Sequence, residues 1–373
     1  MMQKKICYVT EVDHDGRVAG AIINDLKILH ILEKFGEVDL IYLQAKRYRS
    51  LGLALCIYVF QILGSLLKPY SIYFSRSLIA SFLLVSLGKF NWKHKRIVHQ
   101  ALSVPFPSSE IGFLEVNMLE SFVRYHMYRF LEVCVLPNVD VITVAARDYA
   151  KELMEIGVEK DRIAVVPFYV ENEFFKQSIK YDVGEPFTFC YVGGFQRYHD
   201  LSYLVEAFDL FIQSRKNVRL YLVGDGPQRP NTEKEVARRK LVDKIRFFGA
   251  LSHSRVPSLL SRVDSFIILM RKSGISTSLL EAAAVGKAII TVRRQKDITL
   301  NRYFRHMKEM YFVDDLSPTK IAKAMELLYT DSRLRNNLAK GARKIAQEHF
   351  SEEIVVRELE NLVRNNLQEP PSV

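Results

Sequence analysis

The run SGISTSLLEAAAVG, residues 273–286, groups the side chains best suited to chemistry. Gly274 makes a turn, Ser276 and Thr277 are cap candidates, and LLEAAA reads as a helix starting at the end of a strand, Ser265–Leu269. Such a start offers unpaired backbone N–H groups and the positive end of the macrodipole, so it binds phosphate. Glu281 lies four residues after Thr277, on the same helix face. Its carboxylate can accept hydrogen bonds from two neighbouring ribose hydroxyls while the helix start holds the phosphates. The competing reading is a structural helix with an exposed glutamate. A second candidate is Gly193-Gly194, which follows another strand and either lets backbone approach phosphate or simply forms a turn.

The elements that would position these residues are legible along the whole chain. Strand candidates in the first half are Ile6–Thr10, Val38–Leu43, Ser71–Phe74, Arg96–His99, Val139–Val144 and Ile163–Pro167. In the second half they are Phe187–Val192, Val218–Val223, Ile245–Phe248, Ser265–Leu269, Ala288–Val292 and Met310–Val313. Most precede a helix-period stretch such as LSYLVEAFDLFI or PTKIAKAMELLY. Repeated strand–helix units of this spacing imply parallel sheets covered on both faces. The polar, irregular stretch 168–186 is the expected break between two doubly wound α/β domains, 1–170 and 185–350. The remaining 351–373 is expected as a C-terminal helix returning to the first domain. Two such domains would face each other across a cleft, with ligands at the carboxyl ends of the strands.

Composition narrows the class. The chain has 373 residues, 49% hydrophobic and 25% charged, which excludes wholesale disorder. A net charge of +11 implies an anionic partner without naming it. Cys7, Cys56, Cys134 and Cys190 are far apart among apolar residues and read as four buried thiols in a reducing compartment, neither a disulfide frame nor a zinc site. MMQKKICYVT lacks an apolar stretch of signal-peptide length and reads as a first strand, so a cytoplasmic protein is expected.

Residues 51–67, LGLALCIYVFQILGSLL, carry no charge. Residues 51–100 hold Lys68, Arg76, Lys89, Lys93, Lys95 and Arg96 but no acidic residue, with Tyr70, Tyr73, Phe74, Phe90 and Trp92 interleaved. This region is either a buried helix with a basic face, or a monotopic surface that dips apolar residues into an anionic membrane.

The second half carries a set of motifs that is specific when taken together. YVGGFQRYHDLSYLVEAF (191–208), YLVGDGP (221–227), IRFFGALSHSRVPSLLSRVDSFII (245–268), SLLEAAAVGKAIIT (278–291) and LRNNLAKGARKIAQEHFS (334–351) occur in order. In these the chain resembles a family 4 glycosyltransferase of the two-Rossmann-domain (GT-B) type. The resemblance implies a retaining enzyme that uses a nucleotide diphosphate-sugar, UDP- or GDP-linked, and a hydroxyl acceptor, with no metal and no other cofactor. It assigns ribose binding to Glu281, within a nucleotide-sugar-binding set that also includes Gly274, Ser276, Thr277 and Leu280. The family's signature has two glutamates, and the first falls on Ser273, where the family's side chain contacts the transferred sugar. An Arg and a Lys that flank the donor diphosphate in the family fall on Gly194 and His199, with Arg197 between them as a substitute cation.

In the first half, GRVAGAIIN (16–24) occupies the place of the family's glycine-rich loop, with Gly20 the expected diphosphate contact. His99 ends a strand where the family often has a His near the reacting sugar. It could orient the donor or shuttle a proton. Asp13-His14-Asp15 copies a metal-binding pattern of the other large glycosyltransferase fold but reads as a turn before the glycine loop. The apolar, basic 51–100 region makes a lipid-linked acceptor and peripheral membrane contact plausible, as in bacterial surface polysaccharide or glycolipid assembly. The second reading is a catalytically weak nucleotide-sugar-binding or scaffold protein, motivated by Ser273, Gly194 and His199. A dinucleotide oxidoreductase lacks its glycine fingerprint, and nucleic acid is not an expected partner.

Overall fold

The structure is a computed structural model. It describes residues 4–10, 20–44, 51–88, 96–101, 118–145, 147–178, 185–199, 201–213, 215, 217–270, 275–293 and 298–367. The chain divides into two compact units, one of Met1–Phe168 with Val355–Val373, the other of Tyr169–Ile354. Much of the stretch expected as a linker therefore belongs to the second unit. Val170 donates its N–H to the Phe350 carbonyl at 2.8 Å. Arg343 donates to the carbonyls of Phe175 and Gln177.

The first unit runs β1 (Lys4–Thr10), α1 (Gly20–Leu32), β2 (Gly36–Tyr42), α2 (Leu51–Ser65), β3 (Ile72–Ser75), α3 (Leu78–Gly88), β4 (Arg96–Ala101), α4 (Met118–Val135), β5 (Val141–Val144), α5 (Arg147–Glu155) and β6 (Ile163–Val165). The second runs α6 (Asn172–Phe175), β7 (Phe187–Val192), α7 (Leu201–Ile212), β8 (Val218–Val223), α8 (Arg229–Arg238), β9 (Ile245–Gly249), α9 (Val256–Ser261), β10 (Ser265–Ile268), α10 (Thr277–Ala284), β11 (Ala288–Val292), α11 (Ile298–Tyr303), β12 (Tyr311–Val313), α12 (Pro318–Thr330) and α13 (Ser332–Phe350). A last helix, α14 (Glu352–Leu367), crosses the division between the units.

All twelve expected strands are present, shifted at some ends. They form two six-stranded parallel sheets, ordered β2-β1-β3-β4-β5-β6 and β12-β11-β10-β7-β8-β9. Parallel strands buried on both faces need continuous apolar runs. FTFCYV in β7 and AIITV in β11 supply them, with nearly every residue buried. The covering helices are one-sided. In α7, Leu201, Leu204, Val205, Phe208 and Phe211 are buried at helical spacing.

The two sheets share a device where their strands begin. Asp140, just before β5, accepts the Ile97 N–H of β4 at 2.7 Å. Asp264, just before β10, accepts the Thr188 N–H of β7, also at 2.7 Å. In each sheet a carboxylate just before one strand satisfies an amide near the start of its neighbour.

One sequence expectation is corrected. Cys7 and Cys190 are buried, but Cys56 and Cys134 are exposed. Both exposed thiols lie on helices, α2 and α4, whose outward sides are apolar as well, so apolar neighbours in sequence gave no guide to burial. In α2 the buried positions Ala54, Tyr58, Ile62 and Ser65 form one face, while Leu53, Leu55 and Phe60 stay exposed. Among the described residues no helix is long and apolar enough to cross a membrane.

Candidate functional site

In the second sheet β7 is flanked by β8 on one side and β10 on the other, so the strand order reverses between β7 and β10. Ligands of open α/β sheets bind beyond the carboxyl ends of strands at such a switch point. Gly193-Gly194 follows the end of β7, and α10 opens after β10, so the sequence motifs stand at the place the topology prescribes.

Helix α10 starts at Ser276, whose hydroxyl accepts the Leu279 N–H at 3.2 Å. The cap occupies one amide and leaves those of Thr277 and Ser278 at the helix tip. The helix ends at Gly286 (φ 77°), with the Lys287 N–H on the Ala282 carbonyl and the Gly286 N–H on that of Ala283, a Schellman closure. AAAVG thus stops the helix after two turns and returns the chain into β11. Leu280 is buried, as is Glu281, against the reading of an exposed glutamate.

Glu281 is not alone. His253, in the short turn after β9, places Nε2 2.8 Å from Glu281 Oε1. The other ring nitrogen lies 3.7 Å from Glu171 Oε1, and the ring packs on Phe174 with centroids 5.3 Å apart. Sequence reasoning assigned none of these three a role. The only signal was a histidine just past the strand-ending Gly249, on the same rim as the other motifs. The donor atoms of Glu171, His253 and Glu281 lie within 4.8 Å of one another, so they are a group that could hold a cation. The Nε2–Oε1 separation is that of a ring N–H donated to a carboxylate.

The loop after β7 is built differently from its expectation. The Tyr191 hydroxyl donates to the Gly194 carbonyl at 2.8 Å and lies 2.7 Å from His199 Nδ1. That nitrogen also donates to the Gly194 carbonyl. His199 is buried, and burial holds its pKa below the ordinary histidine value despite the carbonyl's opposing pull. Its Nδ1 holds the glycine turn, and burial favours the neutral imidazole. Arg197 is exposed on the same turn and makes no ion pair among the described residues, which leaves it available to an anion. Gly193 gives its N–H to the Val223 carbonyl at 3.0 Å, so that amide is committed to the loop.

His99 lies in the first unit, buried on β4. Its Nδ1 is 2.8 Å from the Ser81 hydroxyl on α3. Burial pushes its pKa down to about 4, which suits an orienting group better than a proton shuttle near neutral pH. A buried neutral imidazole also has a stability consequence. The unfolded chain takes up this proton below about pH 6.5, the fold only near 4, so the contribution is full above 6.5 and falls as pH drops. The expected loss is at most about 1.4 kcal/mol per pH unit between those values. Urea unfolding of wild type and His99→Gln at pH 7 and pH 4.5 checks it; a variant with the same pH dependence as wild type contradicts it.

Gly20 is the first residue of α1. Ser273, Gly274 and Asp13-His14-Asp15 lie outside the described residues.

Residues 172–345 match the model of a family described as glycosyl transferases group 1. That part of the chain is similar to this family. The group 1 stretch contains every motif of the second half except the last residues of 334–351. It also contains Glu281, His253, Phe174 and the loop after β7; Glu171 immediately precedes it. LpsD, a lipopolysaccharide core biosynthesis glycosyltransferase of Rhizobium meliloti, is 25% identical over 221 residues, covering 58% of this chain and 62% of its own length. The chain spans 56 to 62% of the length of the first curated relatives it matches. Sucrose-phosphate synthase from Thermosynechococcus elongatus shares the fold with a TM-score of 0.79 at 18% identity, covering 97% of this chain and 99% of that one. HepE of Anabaena, solved with UDP and glucose, does so with a TM-score of 0.74 at 13% identity, covering 97% and 99%. The two six-stranded parallel sheets with their helices thus follow the two-Rossmann GT-B fold.

Proposed function

We propose that the protein is a glycosyltransferase that moves a sugar from a UDP- or GDP-linked donor to a hydroxyl acceptor with retention. The second unit binds the donor and the first the acceptor. The observation that carries this reading is Glu281, buried one helical turn behind the capped tip of α10, at the switch point of its sheet. The tip's amides and Arg197 neutralise the diphosphate, and the carboxylate takes the ribose. In the transfer the bond from the anomeric carbon to the phosphate oxygen breaks, and a bond to the acceptor oxygen forms on the same face. The acceptor's proton passes to the leaving diphosphate, so no metal or further cofactor enters. The similarity to LpsD supports the class and a role in bacterial surface polysaccharide or glycolipid assembly, and the UDP and glucose held by HepE support a nucleotide-linked donor.

Turnover across a panel of UDP- and GDP-sugars tests the reading. Release of UDP or GDP, with or without added acceptor, is expected. Binding without turnover on any donor favours the scaffold reading instead.

The acceptor is lipid-linked in this proposal, and the protein works at the inner face of the cell membrane. Phe60 on α2 is 74% exposed, Leu67 in the turn after α2 92% and Phe130 on α4 67%. Lys68 pairs with Asp39 and Arg96 with Asp140, while Lys89, Lys93 and Lys95 lie outside the described residues. The exposed apolar side chains are the part of this surface that a single variant can test. Phe60→Ser should reduce co-sedimentation with phosphatidylglycerol vesicles several-fold, about the effect of exposing one aromatic side chain. Equal sedimentation of variant and wild type removes this surface.

A further inference from the structure

We propose that His253 is a positioning residue that fixes the Glu281 carboxylate for a nucleotide's ribose; this rests on the reading of Glu281 as the ribose acceptor. Three elements converge on the carboxylate. Helix α10 carries it, the turn after β9 brings the imidazole, and the segment around α6 supplies a platform. The Nε2–H of His253 donates to Oε1 at 2.8 Å. Phe174, itself buried, packs against the ring, and Glu171 faces the opposite nitrogen. The platform is pinned in turn, because Arg343 of α13 donates to the carbonyls of Phe175 and Gln177.

The two oxygens of Glu281 are thereby made unequal. Oε1 is held by the imidazole. Oε2 accepts no hydrogen bond from a described residue, and the side chain keeps 6% of its surface exposed. It is the acceptor left open, and the plane in which it lies is set by the bond to its twin. A glutamate side chain turns about three bonds, and freezing it during binding costs affinity. The imidazole removes that cost in advance, as second partners do for the ligands of a metal. The sequence separation of the two residues, 253 and 281, explains why no local pattern announces the pair.

Calorimetric titration with UDP and with 2′,3′-dideoxy-UDP tests the inference, with the GDP pair used if UDP does not bind. Wild type should prefer the nucleotide that keeps its ribose hydroxyls. His253→Ala should weaken UDP about tenfold, the size of one hydrogen bond to a charged group, and leave the dideoxy nucleotide unchanged. His253→Gln, which keeps an N–H donor, should recover most of the loss. In Glu281→Ala, adding His253→Ala should change nothing further. A His253→Ala protein that still prefers UDP as strongly as wild type overturns the proposal. So does one that loses both nucleotides equally while His253→Gln rescues neither, which is the pattern of a purely structural histidine. A wild type that does not distinguish the two nucleotides, or binds none, overturns the ribose role of Glu281 itself, and the inference with it.

Discussion

Glu281→Ala is expected to weaken binding of a nucleoside diphosphate by about two orders of magnitude while the protein stays folded. Removing a charged acceptor from a ligand hydroxyl costs about 1.5–3 kcal/mol, and here the deletion also strands the Nε2–H of His253. The fold should tolerate it because α10 is held by other residues. Leu279, Leu280 and Ala282 to Ala284 are all buried, Ser276 caps one end and Gly286 closes the other. Glu281→Gln separates the terms. It keeps an acceptor and the shape but loses the charge, so it should fall between wild type and alanine. Titration of the three proteins with UDP and GDP, each checked by thermal melting, measures this. Unchanged affinity in the alanine variant means the ribose is held elsewhere.

Why this residue could be found without coordinates, and its partner could not, is a matter of range. Ser276, Thr277 and Glu281 lie within two helical turns, so a cap followed by a helix fixes their relation from the chain alone. The twelve strands were legible for a similar reason: a parallel strand buried on both faces must be apolar throughout, and few other segments of that length are. His253 and Glu171 reach Glu281 only through the order in which strands are laid down, which is a long-range property. The outward sides of α2 and α4 were illegible for another reason. LGLALCIYVFQILGSLL has no polar stripe to say which way it faces, so Cys56 could not be told from its buried neighbours. His199 shows a third limit. Its type suggested a ligand contact, and its ring also completes a turn around the Gly194 carbonyl, a role that depends on Tyr191 pointing back from the strand before it.

Gly224→Ala is expected to cost about 3 kcal/mol or more, an unusually large effect for adding one methyl group. The loops after β7, β8 and β9 are stitched by backbone. The Gly193 N–H reaches the Val223 carbonyl, Phe195 that of Asp225, Gln228 that of Phe195, and Gly224 that of Gly249. Gly224 adopts φ 127°, and a Cβ there would stand 1.9 Å from the Gly193 carbonyl oxygen. That oxygen belongs to a backbone already bonded through its own amide, so it cannot step aside without opening the ladder. Gly194→Ala is the matched control. A Cβ there meets only the Gln196 side chain at 3.6 Å, an ordinary contact. The pair therefore separates two meanings of glycine on one rim. Gly224→Ala should lower the melting temperature by roughly 6–12 °C for a body of this size, with nucleotide affinity falling because the loop is displaced. Gly194→Ala should melt near wild type, and any loss of UDP or GDP affinity in it would mark phosphate lying against that backbone. A Gly224→Ala protein as stable as wild type would mean that the three loops are not packed as tightly as their hydrogen bonds require.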